Sequence, residues 1–126
     1  MEGWDWSRAF GRDGVFVSLE ATARFDHAKL LAMRIDRGGR VHIIERLPRA
    51  WLPASRWRLE RGTRADDGKT AAIVEPLVDT PFYSRAVISA RLFGKTVVSS
   101  HECLSLRRFH KDWVQSMLRF RIPRRR

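Results

Sequence analysis

The sequence predicts an all-β fold, an antiparallel barrel or a strongly curved antiparallel sheet followed by one amphipathic helix. Apolar and polar residues alternate along most of the first 106 positions, as in strands with one buried face. Turn-forming glycines and prolines divide this region into about seven segments. Near the carboxyl end the apolar period lengthens to that of a helix, so a helix is predicted only in that part of the chain.

The predicted strands are separated by recognisable turn signals. Paired glycines at 38 and 39 predict a tight hairpin, residues 65–69 a turn, and Gly94-Lys95 a second hairpin. Residues 47–55, which include two prolines, are predicted to form a connection, and Pro76 indicates an edge strand or a strand end. The predicted strands are 15–24, 29–36, 41–46, 57–61, 70–78, 82–93 and 96–106.

The last segment has helical periodicity. Phe109, Trp113, Met117 and Phe120 recur at spacings of four, four and three residues, which places them on one stripe of a helix. Residues 121–126, RIPRRR, follow as a basic tail in which proline prevents further helix. The organisation is therefore predicted to be one domain over residues 1–120 and a tail over 121–126.

Composition and charge restrict the class of function. With 44% hydrophobic residues the 126-residue chain can fold around one core, and its formal net charge of +11 predicts an anionic partner surface. Most arginines alternate with apolar residues along strands, which disfavours a nucleic-acid face and favours an anionic membrane surface. Four scattered histidines and a single cysteine show no metal-ligand spacing, so neither a metal site nor a cofactor is predicted.

Trp4-Asp5-Trp6 is the most unusual short motif. In an extended chain the two indoles share one face and the carboxylate points to the other. Aromatic faces can stabilise a carbocation, and two rings can equally close the mouth of a barrel. Both interpretations fit the motif.

Several segments together resemble the carotenoid 1,2-hydratases, also called hydroxyneurosporene synthases, of phototrophic bacteria. They occur in the order and spacing of the carboxy-terminal region of that family and cover nearly the whole chain. These segments are residues 3–9 (GWDWSRA), 52–58 (LPASRWR), 63–66 (TRAD), 79–85 (DTPFYSR), 101–109 (HECLSLRRF) and 113–124 (WVQSMLRFRIPR).

The resemblance implies a fold and a reaction. The family resembles a pair of lipocalin-like barrels. The chain is therefore expected to be the carboxy-terminal part of a longer protein, without the first barrel. Its reaction adds water to the terminal C1–C2 double bond of an acyclic carotenoid without cofactor or redox change. An acid protonates C2, aromatic walls stabilise the cation at C1, and water is delivered to it. Peripheral contact with the cytoplasmic side of the inner or photosynthetic membrane follows as an expectation.

The resemblance also nominates site residues. Glu20 aligns with the family's proposed aspartate acid and lengthens it by one methylene, while Leu19 replaces the family's tyrosine. Because Glu20 lies on the polar face of its strand, a solvated glutamate is the alternative. The site hypothesis requires Glu20 and Trp6 to open onto the same side of the fold. The expected catalytic residues are Glu20, His101 and Glu102, and the expected substrate-lining aromatics are Trp4, Trp6, Phe82 and Tyr83.

His101 and Glu102 have two interpretations: they position the water, or they form a structural hydrogen-bonded pair. For the whole chain the alternative to a hydratase is a non-catalytic lipocalin-like module that binds a hydrophobic ligand or a membrane surface. A basic nucleic-acid-binding domain is a third possibility. A chain without its first half is also expected to self-associate through unpaired strand edges, or to be inactive alone.

Overall fold

The computed structural model describes residues 2–11, 14–22, 29–45, 47–69 and 71–121. Most of these residues are in antiparallel strands, and two short helices follow at the carboxyl end. The elements are β1 Gly3–Gly11, β2 Gly14–Thr22, β3 Lys29–Ile35, β4 Val41–Ile43, β5 Arg49–Leu52, β6 Arg61–Arg64, β7 Ala71–Asp79, β8 Tyr83–Leu92, β9 Lys95–Ser105, α1 Leu106–Phe109 and α2 Asp112–Arg121.

Seven of the strands form one antiparallel sheet in the order β4-β3-β2-β1-β9-β8-β7. This order places β1 in the centre, paired with β2 on one side and with β9 on the other. The predicted antiparallel sheet is therefore confirmed. Within the described ranges the sheet does not close into a barrel, because β4 and β7 form its two edges.

The two remaining strands, β5 and β6, form a separate ribbon that lies against one face of the sheet. The Ser7 and Thr63 hydroxyls are 2.7 Å apart, and Arg61 donates to the Ser84 hydroxyl at 2.7 Å. These bonds attach β6 to β1 and β8. The face covered by the ribbon is called the ribbon face, and the opposite one the open face.

The core lies between the ribbon and the sheet and mixes apolar with polar side chains. Ala50 and Ala65 of the ribbon segment pack with Ala90, and Leu52 packs with Ala86 and Ile88. The buried side chains of the sheet on the ribbon face are Asp5, Ser7, Ala9, Phe16, Ser18, Glu20, Ala32, Ser84, Ala86, Ile88, Ala90, Leu92, Ser99, His101 and Cys103.

The burial of β2 is the reverse of what its hydrophobicity suggests. Ser18 and Glu20 are buried on the ribbon face, at 4% and 5% exposure, whereas Leu19 is 38% exposed on the open face. The interpretation of Glu20 as a solvated glutamate is therefore wrong. The reason is that the ribbon supplies arginines to this face, as described below.

Strands β5, β6 and β1 differ from the sequence prediction. Residues 49–52, predicted to be a connection, form β5, which pairs with β6. The strand predicted at 57–61 instead begins at Arg61, because residues 55–59 form a turn in which Arg58 has a positive φ of 61°. The central strand β1 is also longer than the extended Trp4–Trp6 segment that the sequence indicated.

The predicted turns and the predicted edge strand are confirmed. Gly39 lies in the turn between β3 and β4, and Gly94 in the turn between β8 and β9. Pro76 lies in β7, an edge strand whose pairing with β8 shifts register on either side of this residue. A proline is tolerated there because an edge strand does not need every backbone donor.

The carboxyl-terminal helix is divided into α1 and α2 by His110 and Lys111. The Ser105 side chain caps α1 by accepting from the backbone N–H of Arg108. In α2 only Val114 is fully buried among the side chains that are described. The side chain of Phe120 and the whole of residues 122–126, most of the predicted tail, lie outside the described residues. No described helix has the length and apolarity needed to cross a bilayer.

Candidate functional site

Two groups of chemically active side chains lie on opposite faces of the central strands. The first, the buried polar cluster, consists of Asp5, Glu20, Arg49, Arg64 and His101 under the ribbon. Glu20 Oε1 accepts from Arg49 and Oε2 accepts from Arg64, both at 2.9 Å. Both carboxylate oxygens are therefore occupied by guanidinium groups, which offsets the cost of burying the charge.

Asp5 and His101 form the second part of this cluster. Asp5 Oδ1 accepts from the Gly62 backbone N–H at 3.2 Å and lies 3.2 Å from His101 Nε2. The same Nε2 is 2.9 Å from the Gly62 carbonyl oxygen. Both neighbours are acceptors, so Nε2 carries the hydrogen. His101 Nδ1 is buried without a hydrogen-bond partner among the described residues.

Cys103 lies beside this cluster and behaves as the predicted buried hydrophobe. It is 4% exposed, and its Sγ is 3.5 Å from the Glu60 carbonyl oxygen. Burial raises the pKa of its thiol far above the ordinary value, and the neighbouring Asp5 carboxylate raises it further. The thiol is therefore protonated at neutral pH and is not a nucleophile.

The second group, the acid–aromatic cluster, lies on the open face and consists of Trp4, Trp6, Tyr83 and Glu102. The Tyr83 hydroxyl donates to Glu102 Oε1 at 3.0 Å. Trp6 lies directly across from Glu102 in the pairing of β1 with β9, and Leu104 lies between Trp4 and Tyr83 in the same way. Partial burial and the bond to Glu102 raise the pKa of the Tyr83 hydroxyl.

One tryptophan of this cluster, Trp6, already interacts with a cation. The Trp4 and Trp6 rings meet edge to face with centroids 6.4 Å apart. The Arg8 guanidinium lies 5.1 Å from the centroid of Trp6 and 5.6 Å from that of Phe10. The Trp6 ring is therefore placed where its quadrupole can stabilise positive charge.

The structure separates the predicted site residues into two sets. Glu20 lies opposite Asp5 in the pairing of β1 with β2, so it opens onto the ribbon face, whereas Trp6 opens onto the open face. The requirement that Glu20 and Trp6 share a side is therefore not met. Glu102 joins Trp4, Trp6 and Tyr83 on the open face.

The proposed hydrogen-bonded pair of His101 and Glu102 is wrong. Successive residues of a strand point to opposite faces, so His101 bonds within the buried polar cluster and Glu102 bonds to Tyr83. Phe82 also lies apart from the acid–aromatic cluster, because it precedes β8 and its ring packs edge to face on Phe109 of α1 at 5.1 Å.

Sequence reasoning missed Asp5, Arg49 and Arg64 as members of the buried polar cluster. Alternation did place the Asp5 carboxylate opposite the two indoles, but it gave no partner for it. Arg49 was not accessible to pattern analysis because β5 was not predicted. Among the described residues, no group of three or more histidine, cysteine, aspartate or glutamate side chains is arranged to hold a metal ion.

An antiparallel β fold with an acid set among aromatic rings is compatible with several classes of protein, and comparison with known families identifies which. The family model described as Carotenoid hydratase CrtC matches residues 1–126. The chain therefore belongs to the carotenoid hydratase family. No solved structure gives a significant match.

Relatives with curated names agree with this assignment. The acyclic carotenoid 1,2-hydratase of Thiocapsa roseopersicina is 44% identical over 122 residues, which cover 96% of this chain and 30% of the relative. The acyclic carotenoid 1,2-hydratases of Cereibacter sphaeroides and Rubrivivax gelatinosus are 38% and 37% identical to this chain. The matches cover 44% and 30% of the lengths of these two relatives. The chain thus spans less than half the length of these relatives.

Proposed function

We propose that this chain forms one wall of the active site of an acyclic carotenoid 1,2-hydratase and that the acid–aromatic cluster is its chemical part. Support comes from membership of the family and from relatives named for that activity. The observation that carries the proposal is the Tyr83–Glu102 hydrogen bond, which sets an acid beside Trp6 on the open face, with Arg85 across from Glu102 on β8.

In the proposed reaction Glu102 is the proton donor. Oε1 accepts from Tyr83, so Oε2 is the oxygen from which the proposed proton transfer to C2 of the terminal double bond takes place. The π electrons form the new C2–H bond and leave a tertiary cation at C1, which the Trp6 and Trp4 rings stabilise. A water oxygen then bonds to C1, and the proton that it loses returns to Glu102. The sum is the addition of one water molecule.

The apolar part of the open face suits a long polyene. Aliphatic side chains from β2, β3 and β4 continue from Trp6 across the sheet and keep much of their surface exposed. The most exposed of those that the structure describes are Leu19 at 38%, Leu31 at 42%, Val41 at 56% and Ile43 at 62%. The carotenoid is proposed to lie along them and to be covered by the remainder of the longer hydratase, where the lipocalin-like barrel would be completed.

Glu20 is less suited to proton donation than Glu102. Its two oxygens are each 2.9 Å from an arginine nitrogen, and it is 5% exposed beneath the ribbon. A polyene could reach it only if the ribbon left the sheet. We assign Glu20 to holding the ribbon in place.

The test is a chimera in which this chain replaces the matching segment of the Thiocapsa relative. It is produced in membranes that contain an acyclic carotenoid, and the 1-hydroxy product is measured. Replacement Glu102→Gln is expected to lower the rate by about 100-fold or more, the usual contribution of a general acid. Tyr83→Phe is expected to have a smaller effect, and the exposed Glu75→Gln serves as the matched control.

Glu20→Gln separates the two assignments. It is expected to lower the yield of folded protein, because two half-buried guanidinium groups lose their shared carboxylate and, among the described residues, only Arg49 keeps another one, that of Asp5 at 3.6 Å. If Glu102→Gln retains full activity while folded Glu20→Gln has none, the acid is Glu20. If the chimera binds pigment and forms no product, the chain is a non-catalytic binding module.

A further inference from the structure

A cavity of about 710 Å³ opens where the end of β9, the start of β1 and the helices meet. Its floor contains Asp5, Cys103 and Arg49, next to the buried polar cluster. Toward solvent its lining is basic. Arg58, Arg107, Arg108 and Lys111 contribute to it, and Glu2 and Glu60 are the acidic residues there.

Three of these cations are available to a ligand. Arg58, Arg107 and Lys111 are exposed, and the described part of the chain contains no ion pair to any of their side chains. Asp5 on the floor is already engaged by the Gly62 N–H and His101. The cavity mouth therefore has an excess of uncompensated positive charge, which favours an anion such as a phosphate diester.

Two exposed tryptophans stand beside this mouth. The Trp57 and Trp113 rings stack at 28° with centroids 6.1 Å apart, although they come from a turn and from α2. They are 39% and 45% exposed. Indoles concentrate at the boundary between lipid headgroups and acyl chains because they have an apolar body and a polar N–H.

Tertiary contacts hold the cations and the indoles together. Arg108 donates to the Trp57 carbonyl oxygen at 2.8 Å, which ties α1 to the turn that carries Trp57 and Arg58. In that turn the Arg58 N–H donates to the Ser55 carbonyl oxygen at 2.8 Å. The arrangement is thus built by the fold and does not depend on the basic residues at the end of the chain.

We propose that this surface, formed by Trp57, Arg58, Arg107, Lys111 and Trp113, docks on a bilayer and that the cavity receives the phosphate of an anionic lipid headgroup. The combination of an anion pocket with exposed indoles fits a membrane better than a free phosphate, which has no interface into which indoles insert. Bases of a nucleic acid also stack on indoles, so binding of nucleic acid is made an outcome of the test. The proposal does not depend on hydration activity.

The test measures co-sedimentation of the 126-residue chain with vesicles of phosphatidylcholine alone or with phosphatidylglycerol added. The triple variant Arg58→Gln, Arg107→Gln, Lys111→Gln is compared with Arg37→Gln, Arg40→Gln, Lys69→Gln. The second set removes the same charge from exposed positions elsewhere. Affinity for phosphatidylglycerol vesicles is expected to fall by about tenfold or more in the first variant and much less in the second. Equal losses in the two variants, or none in either, would overturn the proposal.

Two further measurements remove ambiguity. Brominated lipids are expected to quench the tryptophan fluorescence of the unsubstituted chain. They are expected to quench it less in the double variant Trp57→Leu, Trp113→Leu. Thermal stabilisation by inorganic phosphate without vesicle binding, or binding of single-stranded RNA in its place, would overturn a membrane site. If the triple variant loses its far-UV circular dichroism, Arg107→Gln and Lys111→Gln singly give the same comparison, because both side chains are exposed.

Discussion

Glu20 and Glu102 have the same side chain and different environments because of the strand faces on which they lie. Glu20 faces the ribbon and meets two arginines, whereas Glu102 faces away from it and meets a tyrosine and an indole. The consequence is a division of roles. Ion pairs fix Glu20, whereas among the described residues Glu102 has one hydrogen bond, from Tyr83 to Oε1, and Oε2 is assigned to chemistry.

Cys103 provides a pH-dependent prediction at this scale. Burial raises the pKa of its thiol, so the unfolded chain ionises first, near pH ~8.5, and the folded chain only at much higher pH. Below the pH at which the unfolded thiol ionises, the thiol does not change the free energy of unfolding. Above it, the free energy of unfolding falls progressively as the pH rises, because only the unfolded chain releases the proton. Alkylation by iodoacetamide at pH 8 to 9 is expected to be about 100-fold slower in the native chain than in guanidinium. Equal rates, measured by mass spectrometry, would contradict the assigned burial.

The residues of the candidate site were predictable to different degrees. Strand alternation put Trp4 and Trp6 on one face, and Tyr83 and Glu102 were added through the family resemblance. The structure shows that the four share a face; their catalytic roles stay a prediction. The partners of Glu20 could not be predicted, because its bond to Arg49 joins residues 29 positions apart in the chain. Local pattern contains no information about such pairs.

At the scale of elements, the β1–β2 hairpin depends on one glycine. Gly14 has a φ of 127°, and a Cβ at this position would lie 1.9 Å from the Ile35 carbonyl oxygen of β3. Gly14→Ala is therefore expected to lower the free energy of unfolding by about 2 kcal/mol or more. Urea unfolding followed by circular dichroism measures the change.

Gly11→Ala is the matched control for the same hairpin. A Cβ there would lie 4.0 Å from the Gly14 carbonyl oxygen, which is ordinary contact. Its effect is expected to stay within about 0.5 kcal/mol. If both variants unfold at the same urea concentration, the close approach of β3 to Gly14 does not hold in solution.

The same scale explains why β5 escaped prediction. It has four residues, and its alternation is too short to distinguish from a connection with prolines on either side. Its stability comes from pairing with β6 and from packing of Ala50 and Leu52 against the sheet. Tertiary contacts thus created a strand that local propensity did not indicate.

At the scale of the whole molecule, the sheet is strongest at its centre. Strands β1, β8 and β9 are paired on both sides, whereas β4 has three residues, all exposed, at one edge. Amide hydrogens of β1 and β9 are expected to exchange at least about tenfold more slowly than those of β4 in hydrogen-exchange mass spectrometry. Equally slow exchange in β4 would indicate that another chain or another copy covers this edge.

The sequence alone determined that the chain is antiparallel β with a helical end, where the glycine turns at 39 and 94 fall, that Pro76 lies at an edge, and which family it belongs to. These properties depend on local geometry and on motif order. Only the tertiary structure decided which face of each strand is buried. Alternation defines two faces without stating which one is covered, and here the covering ribbon supplies Arg49 and Arg64, so the face that carries Asp5 and Glu20 becomes the interior. Bonds as distant as that between Asp5 and His101, 96 residues apart, hold this face together, and local periodicity does not specify them. Carboxylates can be buried there because partners from the ribbon and from β9 satisfy them.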